Sequence, residues 1–492
     1  MKILDFFRRK PEKRSKSFFR NYVGAAGGRL FSDFVATNQS QDSALQYSLP
    51  KLRNRSRDLE RNNEYARKYL NLLQTNVIGD QGFNLQVKAR TTNGTLDGPG
   101  NTMIENAWAR WSRVGNCTVD GKMSFLDCQR LAMRMLARDG EVFVQLLNGN
   151  PYQDGFAIKM LEADWVDDQK NETLQNGNQI RMGIEINEAG QTVAYWVLSQ
   201  HPGDTNFRQL GQSKKHVRVP ADRMMHVYMP NRISNRGEPW MAAVIDSLKM
   251  LRGYREAELV AARVAASKMG VITTPSGDEY TGDATENSHT PLMNADPGTF
   301  HQLPAGWDIK MFDPTHPTTA FADFEKAVLR GIASGLNVAY TSLSNDLEAT
   351  SYSSIRAGTL EDRDNYRVLQ QFMIEHFVDP IFRQWLASAM LNQSFPLPPT
   401  RFDKFADAAS WRGRGWNWVD PLKEINAAVI GLNNGILSMQ DVAAQYGRDV
   451  EETFSAIQRD KELANSYGLQ MAFEPFGTKM PAPVVVDDGN TE

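Results

Sequence analysis

Between residues 321 and 389 the chain reads as a helix, a short segment of small polar residues, and a longer helix. Phe321, Phe324, Val328, Ile332 and Leu336 recur every three or four residues, the period of one helical face. Leu369, Met373, Phe377, Ile381 and Trp385 then repeat at steps of four. The segment between, residues 337–354, holds Asn345, Asp346, Glu348, Thr350, Ser351, Ser353 and Ser354 but no Lys, Arg or His. Such a segment offers hydroxyls and carboxylates and has no cation of its own with which to hold an anion. It suits a surface along which a polyanion slides.

A chain of 492 residues exceeds one ordinary core and divides into several packed units. Its hydrophobic fraction of 41% and charged fraction of 23% are those of a soluble globular protein. No apolar run approaches the ~18 residues of a membrane span, and the opening Met1 to Arg9 is too charged for a signal peptide. Cys117 and Cys128 are the only cysteines, which points to unpaired thiols in a reducing compartment. Residues 1–20 hold eight basic side chains against Asp5 and Glu12, a net of +6 in a chain whose total is −3. A basic arm on an acidic body either docks on nucleic acid or an acidic surface, or is a solvated terminus.

Along the chain, residues 55–77 read as a helix stopped by Gly79 and Gly82, before a strand alternating Phe83, Leu85, Val87 and Ala89. Helices are expected over 101–114 and 125–137. The period then changes to two over 142–147, 156–161, 181–186 and 192–198, the last two joined by a hairpin loop at 187–190. Strands at 217–219 and 224–229 complete a mixed unit ending near Pro230. An alanine-rich rod over 239–268 would be about 45 Å long if wholly helical. Strands at 271–274 and 307–312 flank a Gly, Pro and Asp-rich excursion. A loop over 392–418, three helices over 421–433, 438–446 and 449–466, and a Pro-rich tail expected to be disordered complete an α+β chain.

Catalytic patterns are missing from this reading. The stretch from Gly115 to Ser124 comes nearest to a phosphate loop, but five residues separate its glycines and Met123 replaces the required hydroxyl. The seven histidines make no i, i+4 pair and have no Cys pair nearby, so neither a metal nor another cofactor is expected. Glu162, Asp164, Asp167 and Asp168 carry hard-cation donor types, yet sit where a strand runs into a turn and read as solvated carboxylates. No catalytic residue is assigned.

Several segments together resemble the lambda family of bacteriophage portal proteins. They are Arg61-Asn62-Asn63 with Val77-Ile78-Gly79, Arg138-Asp139-Gly140-Glu141, Asn235-Arg236-Gly237-Glu238-Pro239-Trp240, and Gly331 to Asn337. Leu343-Ser344-Asn345-Asp346 with Ser351 to Arg356, and Asp420-Pro421-Leu422-Lys423-Glu424, complete the set. The resemblance implies a non-enzymatic ring subunit, usually one of twelve, at one capsid vertex, through which DNA enters and leaves. It divides the chain into an arm (1–57), a wing (58–239), a stem helix (240–268), a clip (269–318) and a second stem helix (319–336). A tunnel loop (337–354), a long kinked wing helix with its following loop (355–418), a crown (419–470) and a tail (471–492) follow. Asn345, Asp346, Glu348, Thr350 and Ser351 would face DNA. Lys249, Arg252 and Arg255 would line the channel sparingly, unless they serve intersubunit pairs or i, i+4 pairs such as Arg252 with Glu256. The implied partners are double-stranded DNA, the large terminase subunit, the major capsid protein and a head–tail adaptor, with no membrane. A terminase-like packaging ATPase and nuclease is the alternative, disfavoured because it needs a phosphate loop.

Overall fold

A computed structural model describes residues 37–204, 215–266, 270–273, 308–311, 320–348, 351–416, 421–445 and 450–469. The expectations for residues 1–36, the clip over 274–307, Thr350 and the tail lie outside these residues.

Ser40 caps the first helix, α1 (Gln41–Asn62), by accepting from the Ser43 amide. Leu45, Leu49 and Leu59 form its buried stripe, and the helix runs through Pro50. The helix expected from residue 55 therefore starts at 41, and the arm boundary expected at 57 falls inside it. Asn63 then breaks the helix and caps α2 (Glu64–Leu73), accepting from the Tyr65 and Ala66 amides. A π-turn over Gln74–Ile78 leads to Gly79.

β1 (Asn84–Val87) and α3 (Gly98–Trp111) precede α4 (Phe125–Asp139), which Gly140 ends in the left-handed region at φ 90°. β2 (Glu141–Asn148) and β3 (Phe156–Leu161) pair antiparallel. Next come β4 (Glu172–Thr173), β5 (Gln179–Arg181), β6 (Ile184–Ile186), β7 (Thr192–Leu198) and β8 (His216–Pro220), an antiparallel sheet in sequence order. β9 (Met224–Tyr228) returns to the other edge of β2. The strand expected over 181–186 is split at Met182 (φ 47°) and Gly183 (φ 81°). Gly183 is needed there, because a Cβ would stand 2.7 Å from the Asp167 carbonyl oxygen.

α5 (Ile245–Ala266) begins after a 3-10 turn, so the rod spans about 33 Å rather than 45. β10 (Gly270–Thr273) and β11 (Asp308–Met311) pair antiparallel. α6 (Ala320–Gly335) packs on α5 through Tyr254, whose ring lies 5.6 Å from Phe321 and 5.1 Å from Phe324. After the one-turn α7 (Tyr340–Ser344), α8 (Tyr352–Met373) passes through a π-turn at Ile374–Val378 into α9 (Asp379–Leu391). The irregularity expected at Asp379-Pro380 is taken up here: the Asp379 amide reaches back to the Ile374 carbonyl. Leu369, Met373, Phe377, Ile381 and Trp385 are all buried, as their spacing predicts.

The expected 392–418 loop contains α10 (Phe402–Ala406) and β12 (Ala409–Arg412), and β12 pairs antiparallel with β1. α11 (Pro421–Asn433), α12 (Met439–Gln445) and α13 (Val450–Ser466) follow. At the core Trp108 stacks on Trp111 at 4.8 Å and meets Phe125, Phe382, Trp385 and Trp411 edge-on at 5.0 to 5.8 Å. The indole N–H groups of Trp111, Trp385 and Trp411 donate to the Phe156 carbonyl, Asp154 and Asp379 at 2.9 to 3.1 Å. No indole in this trio is buried without a partner.

Candidate nucleic-acid interface

The 337–354 segment is more ordered than its composition suggests. Asn337 and Asn345, at φ 55° and 56°, bracket α7, and α8 begins at Tyr352 rather than 355. Asp362, one turn before the buried Tyr366 on α8, ties the segment down. It accepts from the Ala339 amide and the Ser342 hydroxyl, both at 2.7 Å. Burial raises its carboxyl above the ordinary aspartate value, and these two hydrogen bonds offset part of that.

The exposed end carries a second cluster. The Tyr340 hydroxyl donates to Asp346 at 2.8 Å and the Glu348 amide at 3.0 Å, which together hold Asp346 below the usual range. Lys326, from α6, stands 3.2 Å from Glu348 and 3.6 Å from Asp346. These partners raise its ammonium, Glu348 foremost. So the segment has a counter-ion, supplied from 20 residues upstream of Asp346. Reading the segment alone missed it, because the helix–turn geometry that brings Lys326 back is not written in the spacing.

Among the residues singled out beforehand, Asn345 and Glu348 are exposed and Asp346 is half-buried. Ser351 caps α8, accepting from the Ser354 amide at 3.2 Å, so its hydroxyl already has a structural task. Lys249 and Arg252 are exposed on α5 and, among the described residues, form no ion pair; the pair with Glu256 is not made. Arg255 is instead a staple. It pairs with Glu64 on α2 and, at 3.3 Å, with Glu325 on α6, and its guanidinium lies over the Tyr65 ring.

Behind this surface two of the resembling motifs interlock. Glu141 is fully buried and faces Arg53, Arg236 and His226. Arg236 reaches it at 2.6 Å and also donates to the Val166, Met182 and Ala163 carbonyls, joining the two sheets. Burial alone would push Glu141 up, but the guanidiniums of Arg236 and Arg53, with His226, hold it well below the carboxylate range. Gly140 and Gly237 let the two backbones touch: a Cβ on Gly237 would stand 2.2 Å from the Gly140 carbonyl oxygen. Arg138 and Arg57 extend the network to Glu60, Asp139 and Asp164.

The acidic turn differs from the solvated one expected. Glu162, Asp164 and His201 bring ligand atoms within 4.8 Å of one another, but Asp164 pairs with Arg57 and Glu162 lies 3.7 Å from Arg138. Asp167 meets His216 at 2.9 Å and Asp168 lies 3.6 Å from Arg53. These acids neutralise the chain's own cations. The Gly115 stretch runs into α4, whose first turn is closed by a capping box between Ser124 and Asp127. A carboxylate already occupies the place a phosphate would take. Cys117 and Cys128 are buried free thiols. No helix among the described residues is long and apolar enough to cross a membrane.

Residues 27–370 match the family described as phage portal protein, lambda family. The chain is 34% identical over 481 residues to a probable portal protein of Halomonas phage phiHAP-1, covering 96% of this chain and 91% of that protein. It is 24% identical to portal protein B of Escherichia phage lambda, covering 90% and 89% of the two chains. Among solved structures, the neck of an empty gene transfer agent particle is similar at 13% identity and a TM-score of 0.44. That similarity covers 82% of this chain and 94% of that one. The chain belongs to the lambda family of phage portal proteins. It is a structural, non-catalytic subunit of the portal ring and a component of the virion.

Proposed function

We propose that twelve copies close around double-stranded DNA with residues 337–354 facing the bore. In this reading α5 and α6 form the stem, the region 269–318 between them meets the large terminase subunit during packaging, and the major capsid protein surrounds the 58–239 body. A head–tail adaptor replaces the motor once the head is full, and assembly takes place in the host cytoplasm. The observation that carries this is the charge state of the tethered segment. Each phosphate held by a cation adds a salt-dependent increment of binding with slope about −0.9. Twelve free lysines in a bore would arrest the duplex. Here the one positive charge of Lys326 is outweighed by its two neighbours Asp346 and Glu348, leaving a weakly negative surface on a segment tied down by Asp362. Deleting residues 345–350 tests it: rings counted by negative-stain microscopy should persist while DNA packaging or retention fails. Loss of the ring itself would refute the loop's assignment.

A further inference from the structure

The stripe from Leu369 to Trp385 on α8 and α9 is wholly buried, and α11 carries a stripe of the same kind with the opposite fate. Leu422, Ile425, Val429 and Leu432 recur at steps of three and four, along one face of α11. Leu422 is 62% exposed and Ile425 43%, while Val429 and Leu432 are only half-buried. Ile430, beside this stripe, and Leu463 on α13 are 60% and 59% exposed. Among the described residues of 421–469, Gly431 alone is buried. Helices of 13, 7 and 17 residues are marginal in water by themselves and draw their stability from packing an apolar face. Among the described residues, a single copy buries no apolar side chain in these three.

Charge narrows what can cover them. Residues 421–469 hold four basic and seven acidic side chains, a net of −3. That excess turns away DNA and anionic membranes and leaves a protein surface as the cover. The chain is a subunit of a ring, so every copy has the same three helices on the copies beside it. Units that cannot bury a face alone gain a shared core when they stack, and a closed ring leaves no stack with a bare end. Building on the ring reading, we propose that α11–α13 of each copy pack on α11–α13 of the adjacent copies. This part of the chain acquires its core only on assembly. Arg356 of α8, which reaches Glu424 at 3.3 Å, moors α11 to the body in each copy.

Hydrogen exchange on the full-length protein tests this, with monomer and ring separated by size-exclusion chromatography. Amides of 421–466 should exchange at least about a hundredfold more slowly in the ring than in the monomer, while those of α4 and β2 are protected in both. The double substitution I425D/I430D should raise the concentration for half-assembly about tenfold or more. It should leave the melting temperature of the monomer unchanged, because both side chains are open to water there, and Ile430→Leu should assemble as wild type. Slow exchange of 421–466 in the monomer overturns the pairing, as does normal assembly of I425D/I430D. A chain ended after Leu469 should keep the protection in its rings; losing it there would assign the cover to the tail instead. Wild-type rings that leave 421–466 unprotected overturn this pairing alone, whereas a wild-type chain that forms no ring at any concentration overturns the ring reading with it.

Discussion

Two clusters of opposite charge sit in this chain, and they differ chiefly in their access to water. Around Glu141 one carboxylate serves two guanidiniums and a histidine with side-chain exposure between 0% and 5%. Around Lys326 one ammonium serves two carboxylates, and Glu348 is 81% exposed. The chemistry is alike and the consequences are opposite. A buried charge whose partner is removed has no water to turn to, so the Glu141 cluster fixes how α1, β2, β9 and the 235–240 segment fit together. An exposed pair is exchanged with solvent at little cost, which leaves the Lys326 cluster free to tune what a passing ligand meets. One is a joint; the other, in the proposed ring, would be a lining.

The contrast breaks most sharply at Glu141. Glu141→Gln strands two buried guanidiniums and should destabilise the fold by about 3–5 kcal/mol, read from denaturant unfolding. A loss no larger than that of a surface substitution would sink the distinction. Next in size, Gly237→Ala forces a methyl against the Gly140 carbonyl oxygen and should cost about 1–3 kcal/mol. Gly253→Ala, inside α5 where nothing stands within 4 Å, should instead stabilise by up to about 1 kcal/mol and serves as the contrasting glycine.

A third measurement uses pH. Burial holds His226 below its ordinary 6.5, against the pull of Glu141 and with Arg236 and Arg53 adding to the depression. The unfolded chain therefore binds a proton first, and the melting temperature should fall as pH drops below about 6.5. Glu141, also depressed, adds a further loss below about 4.5. His226→Gln should flatten the upper part of that curve. A melting temperature that rises on acidification to pH 5.5 would show the opposite sign. Smallest in stability, Lys326→Gln should leave the melting temperature unmoved while changing how DNA passage responds to salt. Glu348→Lys should slow passage, most visibly at low salt, and equal packaging at every salt concentration would place Glu348 outside the bore.

Much of this was legible because periodicity reports burial. The stripe from Leu369 to Trp385 and the strands over 156–161 and 192–198 follow from it, as do the short strands expected at 271–274 and 307–312, seen at 270–273 and 308–311; that these two pair is a finding of the structure. Pro50 hid the first half of α1, although Leu45, Leu49 and Leu52 hold helical spacing around it. β12 escaped because Ala-Ser-Trp-Arg has no alternation and owes its strand form to a partner 328 positions away, Asn84 facing Arg412. The motifs at 138–141 and 235–240 were visible as words, but their mutual contact was not. One overlooked residue had left a trace. Asp362 stands in step with Tyr366, Leu369 and Met373, and a carboxylate on an apolar stripe calls for a buried polar partner.

The union of β1 with β12 also sets a clock. A ribosome must complete some 410 residues before the first strand finds its mate and Trp411 joins Trp108. Until then the N-terminal body lacks the edge and the aromatic lid that its own sequence cannot supply. A chain that stops short of residue 412 therefore leaves β1 without its partner strand and the Trp108 cluster without Trp411.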